Sequence, residues 1–239
     1  MKIELDSSWK PILSSLYQEP FLTLKNEILP NISYYPTEDK IFNVFQMPLK
    51  DIKVVILDLE PKFNTSTGYA FATTMDYGYT SSLRNIREEL NFEFILSLND
   101  DLATPNWRTL EHWREQGIFL LNLSLTADLD KTGEHLKYWQ PFIERVIQYI
   151  SSSNQNIIWL LWGGRAQSFT NCIYEPFIVK GYDDKTISSI PSDRHNYILK
   201  APHPISYSCD KGNFNFIGCN HFRLTNGILK VNKKTQIQW

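Results

Sequence analysis

Apolar residues along this chain fall into two kinds of pattern. Four short runs, residues 53–57 (KVVIL), 118–121 (IFLL), 156–161 (NIIWLL) and 197–199 (YIL), are continuous rather than alternating and rich in β-branched and aromatic side chains. A strand of that kind is covered on both faces, as in a parallel sheet. Helical patterns lie between the runs. Ser82 can cap a helix with Leu83, Ile86 and Leu90 on one face. Thr104-Pro105 reads as a cap followed by proline at the first helical position, with Gly117 beyond the far end. Pro141 suits the start of a helix that turns Phe142, Val146, Ile147 and Ile150 inward. Strands alternating with helices predict an α/β fold: one three-layer domain over residues 1–239, with a central, largely parallel four-stranded twisted sheet flanked by helices. The loop-like stretch 181–194 reads as an excursion from that domain, not a boundary.

Composition narrows the function classes. With 239 residues, 42% hydrophobic and 21% charged, the chain can bury a full core and is too apolar for a disordered one. Its longest apolar run, residues 157–162, falls far short of the roughly 18 residues a membrane span needs. The opening MKIELDSSW carries acids and no apolar stretch, so neither a membrane protein nor an exported one is expected. Three cysteines (Cys172, Cys209, Cys219) with no C-x-x-C pair argue against a disulfide framework and a four-cysteine cluster. Five histidines without H-E-x-x-H complete the expectation of no metal and no cofactor. Net charge is −2, but residues 201–239 hold five bases against one acid, a pattern of solvated faces that lends slight support to a nucleic-acid partner.

The segments just beyond the strands carry the chemistry. The first run leads into Asp58-Leu59-Glu60-Pro61-Lys62-Phe63, the second into Asn122-Leu123-Ser124, the third into Trp162-Gly163-Gly164-Arg165 and the fourth into Ala201-Pro202-His203-Pro204. Ligands of open parallel sheets bind outside the carboxyl ends of the strands. Those ends would gather a carboxylate, a carboxamide, a glycine turn and a proline-flanked histidine. Each has a plain structural alternative: Glu60 as a turn residue, Asn122 as a strand cap, Phe71 as core, His203 in a rigid turn.

In this order the segments resemble family-1 uracil-DNA glycosylases over nearly the whole chain. The resemblance rests on Trp9-Lys10-Pro11, Tyr69-Ala70-Phe71-Ala72, Leu83-Arg84-Asn85-Ile86, the stretch from Trp113 to Asn122, Leu160-Leu161-Trp162-Gly163, His203-Pro204, and Gly218-Cys219-Asn220-His221-Phe222. It implies hydrolysis of the N-glycosidic bond of a nucleotide flipped out of the DNA stack. The bond breaks toward a sugar cation and a base anion, so a carboxylate is wanted near the sugar and donors near the base oxygen. By position, Glu60 is the carboxylate and His203 the donor to the leaving base. Asn122 reads the base edge, Phe71 stacks on its face, and Leu59 binds through its backbone. Ser82, Gly163, Gly164 and Ser208 fall where the family contacts phosphates, and Tyr207 where it places the wedge that fills the vacated stack. The implied partners are single- or double-stranded DNA and, as in the family, a proteinaceous glycosylase inhibitor or a replication protein. The chain is expected to be a monomer, in the cytoplasm or wherever the DNA lies.

One motif departs. Where the family has Gly-Gln-Asp-Pro-Tyr-His, this chain keeps only Pro61. Glu60 is a methylene longer than the family's aspartate, a displacement of roughly 1 Å that can cost about a hundredfold in rate. Lys62 stands in place of the tyrosine that walls off carbon 5 of the base, which leaves room for 5-substituted pyrimidines. Two functions compete on this reading: a glycosylase with altered base choice, and a catalytically impaired glycosylase fold serving as a DNA-binding, replication-accessory or interaction module. The surviving base readers Asn122, Phe71 and His203 favour the enzyme.

Overall fold

A computed structural model describes residues 5–63, 66–74, 78–94, 107–181, 183–205 and 215–239. In chain order the elements are a 3₁₀ segment (Ser7–Tyr17), a single turn α1 (Phe21–Thr23), β1 (Tyr34–Tyr35), β2 (Val54–Asp58) and α2 (Ser81–Phe94). Then come α3 (Glu111–Glu115), β3 (Ile118–Asn122), β4 (Ala127–Asp128), α4 (Leu136–Ser153) and β5 (Ile157–Trp162). The chain closes with α5 (Gly164–Ser168), β6 (Pro176–Ile178), α6 (Asp184–Ser189), β7 (Asn196–Ala201) and α7 (His221–Val231). Strands β1 and β4 form a small antiparallel ribbon, and the main sheet runs β3-β2-β5-β7-β6 with every pair parallel.

The continuous apolar runs have the cause the pattern implied. Along β2, Val55 and Leu57 enter one core with Trp139, Phe142 and Val146 of α4, while Val54 and Ile56 enter a second with Leu83 and Ile86 of α2 and Phe222 of α7. The same alternation holds along β5, with Trp159 and Leu161 on one side and Leu160 and Trp162 on the other. Both faces are therefore buried, and each large side chain moved out of water contributes about 1.5–3 kcal/mol. The sheet is the middle of three layers. Wide indoles inside it find polar partners: Trp159 Nε1 donates to Asn196 Oδ1 at 2.8 Å and Trp162 Nε1 to His221 Nδ1 at 2.9 Å.

Four expectations are corrected. The sheet has five strands, not four: β6 is three residues long, lies at an edge, begins with Pro176 and leaves Ile178 42% exposed, so it shows no buried run. Helix α2 is capped by Thr80, whose Oγ1 accepts from Leu83 N–H at 3.2 Å, and Ser82 lies buried inside the first turn. Helix α4 begins at Leu136, with Pro141 inside it, because burial of Trp139 on the same stripe as Phe142 and Ile143 draws the helix back by a turn. The stretch 181–194 contains α6, opened by Asp183, whose Oδ1 accepts from Thr186 N–H at 2.9 Å. Thr104 and Pro105 lie outside the described residues, and the helix before Gly117, α3, begins only at Glu111, after Leu110 in a left-handed conformation (φ +50°); its end lies where glycine was expected to stop it. Gly117 (φ +93°) follows α3, and a Cβ there would collide with the Asp51 carbonyl oxygen.

Helices α2 and α7 share an unusual joint. Glu89 and Glu93 lie one turn apart on the core-facing stripe of α2 and are buried. Glu89 accepts from the Gly218 and Asn220 N–H groups at 2.5 and 2.8 Å; Glu93 accepts from those of Phe222 and Arg223 at 3.2 and 2.7 Å. All four oxygens thus cap the start of α7. Burial, and then the neighbouring Glu89, pushes the Glu93 carboxyl up to about 9, so the pair shares a proton at neutral pH. Among the described residues no helix is long and apolar enough to cross a membrane.

Candidate active site

Parallel pairing puts Asp58 and Asn122, the last residues of β2 and β3, directly side by side. Both are 2% exposed, and among the described residues Asp58 Oδ2 and Asn122 Oδ1 have no hydrogen-bond partner. Buried acceptors left open are costly unless something arrives to fill them. The strands on the other side of β2 supply the rest of the edge.

Two residues past β7, His203 stands between Pro202 and Pro204, its side chain one-quarter exposed. Its Nε2 faces Asp58 Oδ1 at 3.4 Å, and its Nδ1 accepts from the Ile205 N–H at 3.2 Å. With Nδ1 accepting, a neutral ring carries its proton on Nε2, the atom turned to the carboxylate. The loop is pinned from α2, where Asn85 Nδ2 donates to the Pro204 carbonyl at 2.5 Å. Gly163, between β5 and α5, clears the space: its φ is +88°, and a Cβ there would lie 2.8 Å from His203 Cβ. Gly164 has no such need, since a Cβ would meet open space. Phe71, 5% exposed and held at φ +63°, sets its ring 6.0 Å from that of His203 and 5.7 Å from Trp162.

Glu60 is 3% exposed, and its Oε2 accepts from the Gly133 N–H at 2.8 Å. Burial raises its pKa, opposed by the Gly133 hydrogen bond and the Lys62 charge, with Asp58 and Asp128 adding to the rise. Lys62 is half-buried, close enough for its charge to reach Glu60. Both backbone groups of Leu59 are engaged within the protein: its N–H donates to Asp58 Oδ1 at 2.8 Å and its carbonyl accepts from Ser124 N–H at 2.9 Å. Phe63 is 53% exposed at the surface, edge-on to Tyr35 at 5.8 Å. Tyr207 and Ser208 lie outside the described residues.

The carboxylate in contact with His203 is therefore Asp58, a residue that the sequence did not single out, while Glu60 is bonded to the loop at Gly133. The signal was available: an acid closing a central parallel strand already occupies the ligand end of the sheet. A buried acid, an open carboxamide, an aromatic face and an imidazole whose Nε2 proton is only loosely engaged by Asp58 can bind a flat polar ring and hydrogen-bond an oxygen on it.

The family model for the uracil DNA glycosylase superfamily matches residues 45–230. The uracil-DNA glycosylase of Flavobacterium johnsoniae is 32% identical over 248 residues, covering all of both chains. Among solved structures, mimivirus uracil-DNA glycosylase superposes with a TM-score of 0.76 at 22% identity, covering 98% of this chain and 87% of that one. The Y322L form of mimivirus UNG, in complex with UGI, gives 0.76 at 21% identity, with 98% and 88% covered. With matches of that extent in both sequence and architecture, the chain belongs to the uracil-DNA glycosylase superfamily.

Proposed function

We propose that this chain hydrolyses the N-glycosidic bond of uracil flipped out of DNA, and that its pocket also admits 5-substituted pyrimidines. The observation that carries the reading is the edge where Asp58 adjoins both Asn122 and His203, with two buried acceptors open and an imidazole Nε2 held to Asp58 only at 3.4 Å. Membership of a family whose named members are uracil-DNA glycosylases supplies the reaction.

In this reading the flipped base lies against Phe71, and the open Oδ1 of Asn122 accepts from its ring N–H. The 3.4 Å contact between His203 and Asp58 is long for a charge-assisted hydrogen bond. An arriving base oxygen takes over the Nε2 proton, and the field of that donor stabilises the departing anion. As the carbon–nitrogen bond breaks, its electron pair goes to the base. The sugar cation is met by the negative charge of Glu60 and Asp58 and captured by water, whose proton leaves for solvent or the base. Asp58 keeps the imidazole oriented between turnovers. Lys62 leaves carbon 5 of the base unwalled and holds down the pKa of Glu60. The place of work is the compartment that holds the DNA. As with mimivirus UNG, an inhibitor protein of the UGI kind would be a further partner.

The test is a single-turnover incubation with single strands and duplexes containing uracil, thymine or 5-hydroxymethylated pyrimidines, scored as abasic sites. Uracil is expected to be released, and His203→Ala to slow release by about a hundredfold to a thousandfold, the usual cost of one such donor. No abasic product from any substrate at high enzyme concentration overturns the reading.

A further inference from the structure

The opposite end of the sheet holds a cavity of about 780 Å³ that the glycosylase reaction does not use. It opens beside the starts of β2 and β3, between residues 43–53, the loop bearing Tyr69, the end of α3 and residues 233–235. Strand β2 separates it from Asp58 by five residues, about 17 Å at the rise of a strand. DNA lying over the carboxyl edge therefore does not fill it.

Its lining is cationic although the chain as a whole carries −2. Lys50, Lys53, Arg114, Lys233 and Lys234 face two carboxylates, Asp51 and Glu115. Among the described residues no carboxylate lies within ion-pair distance of Lys53, Lys233 or Lys234. Lys234 is tied in place, its Nζ donating to the Gln155 carbonyl at 2.7 Å. Its pKa is lowered by burial and then by the charge of Lys53, a like-charge pair with no counter-ion among the described residues. The Arg114 guanidinium is likewise fixed, 3.9 Å above the centre of the Tyr69 ring. Met47, Ile52 and Ile118 supply apolar wall.

We propose that this cavity is a second binding site, for an organic phosphate of nucleotide size. The volume is within the range of small-molecule sites and far larger than a bare anion requires. The lysines, without ion-pair partners among the described residues, supply the electrostatic attraction for the phosphates, and the apolar wall takes the organic part. A partner peptide added as a strand is disfavoured, since the outer edge of β3 is already taken where Ala70 N–H donates to the Leu120 carbonyl at 3.0 Å.

Isothermal titration of the full chain with ADP, inorganic pyrophosphate, an oligoglutamate peptide and a uracil-free oligonucleotide tests this. ADP is expected to bind, and more tightly than pyrophosphate. A Lys53→Ala, Lys233→Ala double variant, which spares the tethered Lys234, is expected to weaken ADP by about tenfold or more, the cost of losing charged hydrogen bonds. Its melting temperature and uracil excision stay at the wild-type values, so this site is tested separately from the glycosylase reading. The proposal is overturned if ADP fails to bind, binds no better than pyrophosphate, or binds the double variant equally. Binding by the peptide or oligonucleotide alone also overturns it.

Discussion

Two pairs of buried acids distinguish this molecule, and they are built on opposite plans. Glu89 and Glu93 have every oxygen matched to a backbone N–H, and a shared proton removes one of the two charges. Asp58 and Glu60 are as deeply buried, yet Asp58 keeps one oxygen open and turns the other to a loosely held imidazole. The satisfied pair forms a joint; the open oxygen of Asp58 waits for a ligand. Burial alone does not separate structural from chemical carboxylates, whereas the matching of donors to acceptors does.

The sharpest way to break that contrast is to neutralise one acid of each pair. Glu60→Gln keeps an acceptor for the Gly133 N–H but removes the charge, and single-turnover uracil release is expected to fall by about a hundredfold to ten-thousandfold. Glu93→Gln is expected to leave the rate near wild type and to change the pH dependence of stability instead. The folded pKa of Glu93 lies above its ordinary value of 4.5, at about 9. Its contribution is therefore fully present below pH 4.5, declines as pH rises toward 9 and is gone above it. Melting temperatures of the wild type should drift down across that window, and those of Glu93→Gln should drift less. A Glu60→Gln enzyme at full speed would dissolve the distinction.

Gly163→Ala probes the same edge through its shape. The added methyl would press on His203 Cβ in a backbone conformation that side chains rarely adopt. Moving the imidazole by about 1 Å is expected to cost about a hundredfold in the rate of base release. Restoring the wall of the pocket is a smaller intervention. Lys62→Tyr is expected to shift the ratio of uracil to thymine release toward uracil by about ten- to two-hundredfold, the range one methyl group commands. An unchanged ratio would remove Lys62 from base selection.

Strands β2, β3, β5 and β7 could be read from the chain because each is buried on both faces and so written as an unbroken apolar run. Edge strand β6 could not, since half its surface is solvent and its pattern resembles a loop. Pro141 misled for a related reason: local preference favours proline at a helix start, but the hold of Trp139 on the core outweighs it. At the site, Asn122, Phe71 and His203 were found from strand ends and family likeness. Asp58 was missed because the likeness points to Glu60, although its place as the last residue of a buried strand marks it for the ligand end of the sheet, facing a histidine 145 residues downstream. The Glu89–Glu93 joint did leave a trace. Both acids fall on the stripe of Ile86 and Leu90, where an exposed helix face would not place them.

That joint also has a bearing on the order of assembly. Its donors stand about 130 positions downstream of its acceptors, so a nascent polypeptide holds two carboxyls with no caps to make until residues 218–223 have followed. Contacts of such long separation are late and slow to form. The apolar stripe of α2 can settle on β2 and β3 beforehand, but the joint itself closes only after residues 218–223 have emerged, which makes the seating of α7 on α2 a late step in completing the second core.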